Sequence, residues 1–224
     1  MTEPTTRSIN SSFLKKDVHG ALHVPVYDNA AFEFDSAEDI EKAFLGQKPA
    51  HAYTRISNPT VENLEQKVKT ITDAQGVVAL SSGMAAIANV ILAVCQSGDN
   101  IVTTKKLFGN TYSLFSRTLQ PWGLETRYVE VTDQAAVRAA IDTKTRAIFI
   151  ETITNPQLEV VDIAGLAKIA QEKNILLIVD STMTPLVFYR AQDLGINLEV
   201  ISATKYISGG ATSVGGLILD HGNF

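Results

Sequence analysis

A lysine near the end of the chain follows a short apolar run, and this context could make it chemically reactive. The run at positions 198–201 leads into Ser202-Ala203-Thr204-Lys205, which adds two hydroxyl groups and one amine. A lysine amine that is held away from bulk water has a lowered pKa and can act as a nucleophile. Because most lysines are solvated surface residues, this interpretation depends on what the rest of the chain supplies.

A possible phosphate-binding turn lies at Ser81–Met84, between a short apolar run and an apolar helical segment. The first amides of a helix have no partner within the helix, and the helix dipole favours anions there. Gly83 would let the backbone approach a bound phosphate closely. The alternative is an ordinary helix N-cap formed by Ser81 or Ser82.

Three more residues with chemical potential follow predicted strands. Asp180 ends the most apolar strand, where a carboxylate is costly unless it is paired. It could hold a proton on a heteroaromatic nitrogen, or it could cap the following turn. Asn155 could donate to a ligand oxygen or form an Asx turn before Pro156. Phe108 could stack on a planar ring or belong to the core.

Short apolar strands and amphipathic helices alternate along most of the chain. This pattern predicts an α/β fold, with a mainly parallel sheet sandwiched by helices. Ligands of such sheets bind at the carboxyl ends of the strands, so the residues above should meet at one edge. The predicted strands are 77–80, 101–104, 127–131, 147–150, 175–179, 200–202 and 216–219, and the predicted helices are 36–45, 58–71, 85–94, 111–119, 134–141 and 162–173.

The N-terminal part has a different character from the rest. Residues 1 to about 35 are predicted to be irregular, and Ser36 begins a short helix with a capping-box pattern. Asn58 and Pro59 then have the residue types of an N-cap and first helical turn. The predicted organisation is an N-terminal arm with a short helix at 1–57, followed by a ligand-binding domain at 58–224.

Composition excludes several classes of function. The chain has 224 residues, a net charge of −5 and no basic run, which argues against a nucleic-acid-binding surface. Its four histidines lack metal-ligand spacing, so no metal site is expected. No apolar stretch reaches the length of a membrane span, and Cys95 is the only cysteine. These features predict a soluble protein of a reducing, cytoplasmic compartment.

An aromatic aldehyde cofactor that carries a phosphate requires a particular set of groups. They are a phosphate cradle, an acid, an amide, an aromatic ring and a lysine, and the chain offers a candidate for each. The lysine would form an imine, and the acid would keep the ring nitrogen protonated. Pyridoxal 5'-phosphate fits this set of groups.

The motifs resemble, in order and spacing, the Cys/Met-metabolism family of pyridoxal-phosphate enzymes, which has the aspartate-aminotransferase-like fold (fold type I). The resemblance covers nearly the whole chain from about residue 20. It implies that Lys205 is the cofactor lysine, that Asp180 pairs with the pyridinium nitrogen and that Asn155 lies near the phenolic oxygen. The residues that it implies for the phosphate are the amides of the Ser82-Gly83-Met84 turn and the hydroxyls of Ser202 and Thr204.

The segment from Tyr53 to Thr60 resembles the family's YxRxxNPT motif. The resemblance implies that Tyr53 and Arg55 reach the phosphate of a neighbouring subunit. It therefore implies a homo-oligomer, at least a dimer and usually a dimer of dimers, with the arm making inter-subunit contacts.

One departure from the family bears on the reaction. Where the family often has a proton-shuttling Tyr stacked on the cofactor, this chain has Phe108, which can stack but cannot transfer a proton. This favours a substrate with an activated leaving group, namely O-acetyl-homoserine or a related ester. The expected reaction is then homocysteine formation with a sulfide donor, in methionine biosynthesis.

Other readings stay open at this point. Within the family they are a cystathionine γ-synthase or a methionine γ-lyase type of enzyme. The family usually continues into a smaller C-terminal domain with the arginine for the substrate carboxylate, and that domain is expected to be missing from a chain that ends at Phe224. A non-catalytic fragment with the cofactor domain is therefore the alternative from another class.

Overall fold

A computed structural model describes residues 4–10 and 19–222 of the chain. Its centre is a seven-stranded sheet with the order β1-β7-β6-β5-β4-β2-β3. Six strands run in the same direction, and β7 lies antiparallel to both of its neighbours, β1 and β6. The strands are β1 Gly76–Leu80, β2 Asn100–Thr103, β3 Glu125–Tyr128, β4 Thr145–Glu151, β5 Leu176–Asp180, β6 Leu198–Ile201 and β7 Gly216–Asp220.

The direction of β7 affects which residues meet at the edge of the sheet. Its first residue, Gly216, pairs with Leu80 at the end of β1, and Leu217 pairs with Ile201 at the end of β6. The start of β7 therefore lies at the same edge as the carboxyl ends of the other strands. The mainly parallel α/β sheet that the sequence predicts is confirmed, with this single antiparallel insertion.

Helices cover both faces of the sheet, as the sequence pattern predicts. They are α1 Pro4–Asn10, α2 Ala37–Phe44, α3 Pro59–Thr72, α4 Gly83–Val94, α5 Gly109–Ser113, α6 Gln134–Ala140 and α7 Ile163–Lys173, with a π-helical turn at Leu114–Thr118.

Strand β4 shows how the core is divided between the two faces. Phe149 belongs to the cluster under α4, where its ring meets Phe115 edge-on at 5.0 Å. Its neighbours Ile148 and Ile150 point to the other face and pack with Leu166 of α7. Successive side chains of a strand alternate between faces, so a strand buried on both sides is apolar throughout.

Polar caps begin the helices where the sequence predicts them. The side chains of Ser36, Asn58, Asp133 and Asp162 accept backbone amide hydrogen bonds at the starts of α2, α3, α6 and α7. These contacts satisfy amides that the helix itself cannot pair.

Three local predictions are wrong. Residues 4–10 form α1 rather than irregular chain, and Arg7 ties this helix to α3 through the Thr70 carbonyl (2.8 Å) and the Asp73 carboxylate (2.6 Å). The single helix predicted at 111–119 is divided into α5 and the π-helical turn. The strand predicted at 127–131 is β3, which begins at Glu125 because its register follows β2.

Within the residues that the structure describes, no helix is long and apolar enough to cross a membrane. The same residues contain no cluster of three or more His, Cys, Asp or Glu side chains that could hold a metal ion.

Candidate active site

The turn before α4 and the end of β6 are in direct backbone contact at the sheet edge. A Cβ atom at Gly83 would lie 2.6 Å from the Cβ of Ser202, and one at Gly216 would lie 2.0 Å from the Ser82 carbonyl oxygen. Real Cβ atoms do not approach other atoms so closely, so only glycine fits at either position. The structure thus brings Ser202 to the Ser82-Gly83 turn, although it lies far from that turn in the sequence.

This contact leaves a set of donors suited to an anion. The Ser82 hydroxyl caps α4 by accepting from the Ala85 amide at 3.0 Å, so the N-cap reading of this serine is correct. The cap does not use the amides of Gly83 and Met84, which occupy the first two positions of α4. Amides at these positions have no acceptor within their own helix, so they remain suited to a phosphate.

Thr204 is engaged within the protein. Its hydroxyl accepts from the Gly215 amide at 3.1 Å and donates to the Gly215 carbonyl at 3.3 Å. The second of these bonds is long, so a phosphate oxygen could compete for the hydroxyl proton. Ser202 is anchored through its amide, which donates to the Thr182 hydroxyl at 2.8 Å, and its own hydroxyl lies beside Gly83.

Asp180 ends β5, in an environment where a cationic partner would stabilise its ionised carboxylate. Burial raises the pKa of its carboxyl group, while hydrogen bonds from Thr182 oppose this and the charge of Glu199 adds to it. The Thr182 amide donates to Oδ1 at 2.9 Å. Among the described residues no Lys, Arg or His forms an ion pair with Asp180. A buried acid in this state favours a cation such as a protonated ring nitrogen.

Glu151, at the end of β4, is a residue of this site that the sequence reasoning missed. It is 4% exposed, and its Cα is the ladder partner of Asp180 on β5. Burial raises the pKa of Glu151 to about 7, opposed by the hydrogen bond from the Phe108 amide and reinforced by the charge of Asp180. The signal that could have identified it is the one that identified Asp180, a carboxylate directly after an apolar strand.

Phe108 and Asn155 flank the end of β4 because both are tied to Glu151. The Phe108 amide donates to Oε1 at 2.7 Å, and the Asn155 amide donates to Oε2 at 3.2 Å. The Phe108 ring is 44% exposed, so it is not a core residue and is free to stack on a ligand. Both predicted residues therefore lie at the same edge as Asp180.

The expected shielding of Lys205 is not found in this chain. Lys205 lies in the turn after β6 and its side chain is exposed. Its amide donates to the Ser202 carbonyl at 3.1 Å, and its carbonyl accepts from the Gly209 amide at 2.9 Å, so the backbone is held while the side chain is not covered. The reason is that β6 ends at Ile201, and three residues carry the chain past the sheet before Lys205 is reached.

Tyr53 and Arg55 form a separate group. The Arg55 guanidinium lies 5.4 Å from the centre of the Tyr53 ring, and Tyr53 is 40% exposed. Tyr53 is fixed by a bridge to Ala31. In the part of the chain that the structure describes, no hydrogen bond or ion pair joins either residue to the strand-end residues.

Comparison with known proteins places this arrangement in a family. The model of the Cys/Met metabolism PLP-dependent enzymes matches residues 5–224. The chain belongs to this family. Family membership accounts for the predominantly parallel sheet.

Relatives with different activities are similarly close. An O-acetyl-L-homoserine sulfhydrylase of Corynebacterium glutamicum is 37% identical over 220 residues, and an L-methionine gamma-lyase of Fusobacterium nucleatum is 36% identical over 215 residues. These matches cover 98% and 96% of this chain but only 50% and 54% of the relatives. The chain thus spans about half the length of the curated relatives that it matches.

Solved structures agree on the fold. A Campylobacter jejuni protein assigned as an O-acetylhomoserine (thiol)-lyase superposes with a TM-score of 0.93 at 30% identity, over 99% of this chain and 55% of its own. That structure carries a pyridoxyl-lysine phosphate. An O-acetylhomoserine sulfhydrylase of Wolinella succinogenes is 54% identical, with a TM-score of 0.71 over 75% of this chain and 48% of its own.

Proposed function

We propose that the carboxyl edge of the sheet binds pyridoxal 5'-phosphate and that the protein is a sulfhydrylase of O-acetyl-homoserine or a related ester. The observation that carries the cofactor assignment is the contact between the Gly83 turn and Ser202, with Asp180 on the next strand. It places hydrogen-bond donors suited to a phosphate near an acid that forms no ion pair with any Lys, Arg or His of the described residues, and this arrangement suits a phosphorylated pyridine.

Each residue has a distinct proposed role. Gly83 and Met84 donate their amides to the phosphate, and the hydroxyls of Ser82, Ser202 and Thr204 complete its binding. Asp180 holds a proton on the ring nitrogen, Asn155 donates to the ring oxygen and Phe108 packs against the ring. Lys205 supplies the amine that attaches the cofactor and then moves protons of the substrate. When bound, pyridoxal phosphate supplies an aldehyde carbon and an electron-accepting ring.

Phe108 is the basis for choosing an ester as the substrate. A phenylalanine ring has no proton to give, so a poor leaving group such as a thiolate would receive no acid assistance from this position. An ester carboxylate leaves without such help. The product would be homocysteine, formed with sulfide or another sulfur donor. The second candidate is a methionine γ-lyase, which the 36% identity to such an enzyme favours.

The cofactor assignment is tested by loading the purified protein with pyridoxal phosphate, reducing it with borohydride and mapping the labelled peptide. We expect a yellow protein whose colour survives dialysis, with the label on Lys205. Lys205→Ala should lose the label, while Lys144→Ala, which changes a lysine at the opposite end of the sheet before β4, should keep it. A colourless protein, or a label on another lysine, would overturn the assignment.

The reaction is tested by comparing two activities of the loaded protein. Homocysteine formation from O-acetyl-homoserine and sulfide should exceed ketoacid release from methionine. Faster ketoacid release would establish the lyase instead. Tight cofactor binding with neither activity would favour the non-catalytic alternative.

Tyr53 and Arg55 are proposed to act in trans in a homo-oligomer. In the part of the chain that the structure describes, neither residue forms a hydrogen bond or ion pair with the strand-end residues of the same chain, which supports this assignment. Arg55→Ala should weaken cofactor retention. Mixing inactive Arg55→Ala and Lys205→Ala subunits should restore part of the cofactor binding, because one site of a mixed dimer would then contain both intact residues. No restoration would contradict action in trans.

A further inference from the structure

The carboxylate of Glu151 has a position that the proposed function does not use. Both of its oxygens accept backbone amides, and the two amides belong to different loops, one after β2 and one after β4. The side chain is almost completely buried, although it lies at the ligand-binding edge of the sheet. A buried carboxylate that serves only the core has no reason to connect the two loops that flank the site.

We propose that Glu151 is a positioning residue of the cofactor site, whose carboxylate sets the places of Phe108 and Asn155 relative to Asp180. This inference rests on the proposed function, since Phe108 and Asn155 are its proposed ring contacts. Glu151 does not itself touch the ring in this assignment. It acts through the backbone of the two residues that do.

The geometry favours a glutamate over its nearest substitutes. A carboxylate offers two acceptor oxygens, whereas a glutamine amide offers one oxygen and presents donors at the other position. With Gln at 151, one of the two amides would face another donor. With Asp at 151, the side chain is one methylene shorter, and it cannot span the separation to both loops without moving one of them.

The charge of Asp180 opposes ionisation of Glu151, so the ionised form depends on hydrogen bonds. Asp180, its ladder partner on β5, is also an acid, and no ion pair to Glu151 is formed by any Lys, Arg or His of the described residues. The two amide hydrogen bonds are therefore the interactions that stabilise the ionised form. Because a bond to an ionised group is stronger than one between neutral groups, the ionised carboxylate holds the loops more firmly than the protonated acid.

The test compares Glu151→Gln with the unaltered protein in two measurements at a pH above the Glu151 pKa. Amide hydrogen exchange of the cofactor-free protein should show faster exchange at Phe108 or Asn155 by about tenfold or more, the loss of one charge-assisted hydrogen bond. Circular dichroism of the protein loaded with pyridoxal phosphate should show a changed visible band, because the ring is held in a different orientation.

A matched control is Glu199→Gln, which removes a second buried glutamate whose partners are Ser181, Tyr189 and His221. It should leave exchange at Phe108 and Asn155 unchanged. Unchanged exchange at both amides in Glu151→Gln, or an unchanged visible band, would overturn the positioning role. If the unaltered protein binds no pyridoxal phosphate, the proposed function fails, and the exchange measurement alone then decides whether Glu151 holds the loops.

Discussion

Replacing Glu151 by Gln should remove a pH-dependent loss of stability from the cofactor-free protein. The pKa of this buried carboxyl group is about 7 in the folded chain, against an ordinary value of 4.5. The folded state therefore binds the proton more tightly than the unfolded state. The stability from this group is fully present below the unfolded pKa and is lost as the pH rises through the folded pKa.

The magnitude follows from the difference between the two pKa values. Between about pH 5 and about pH 8 the unaltered protein should lose about 2–3 kcal/mol of unfolding free energy from this one group. Glu151→Gln has no proton to lose there, so its stability relative to the unaltered protein should rise by that amount across the interval. Other groups titrate in both proteins and cancel in the difference to first order.

The assay is urea unfolding of both proteins, without cofactor, at several pH values across this interval. Glu130→Gln is the control, because that glutamate is exposed and its pKa is lowered by Lys106, so its difference from the unaltered protein should not rise with pH. A stability difference for Glu151→Gln that stays constant with pH would refute the assignment of a raised pKa and of a buried, ionisable Glu151.

The backbone contacts and caps lead to three further predictions. Gly83→Ala should lower the free energy of unfolding by about 1–3 kcal/mol through overpacking and should weaken binding of pyridoxal phosphate. The control is Gly109→Ala, which lies in open space at the start of α5 and should be tolerated. Equal unfolding midpoints for the two variants would contradict the contact at Gly83. Ser82→Ala should lower stability by about 0.5–2 kcal/mol through loss of the α4 cap, with exposed Ser81→Ala as the control, and chemical denaturation distinguishes them. Cys95, whose pKa burial raises to about 11, should react with thiol reagents at neutral pH only after unfolding; rapid labelling of the native protein would show that it is accessible.

The sheet, and the position of most proposed site residues at its carboxyl edge, could be predicted because the same physical rule produces both. A strand buried on two faces must be apolar, so the polar residue that ends it is conspicuous in the sequence. Asp180 was recognised by this rule, and Asn155 was recognised as a polar residue of the loop that follows β4, so the carboxyl ends of the parallel strands place both at one edge. Helix caps such as Asp162 follow equally local chemistry.

The features that could not be predicted depend on contacts between distant segments. The hydrogen bond of Glu151 to the loop after β2 depends on Phe108, whose amide donates to it from 43 residues away in the chain. The antiparallel β7 has the apolar pattern of any buried strand, and nothing local reveals its direction. The exposure of Lys205 depends on what covers the turn after β6, which a short sequence window does not contain.

The two sides of the proposed site differ in how firmly the protein itself holds them. The side proposed to bind the phosphate is formed by close contacts among β1, β7 and β6, where the glycine at 216 lets the Ser82 carbonyl approach and Gly83 meets Ser202. Such contacts leave little freedom, so this side is preorganised without any ligand. The side with Lys205 is a turn in which the lysine is exposed. The sheet edge alone can therefore select the phosphate of the proposed cofactor. An exposed amine keeps its full hydration, so the reactivity of Lys205 depends on the cofactor and on the surface that covers the turn.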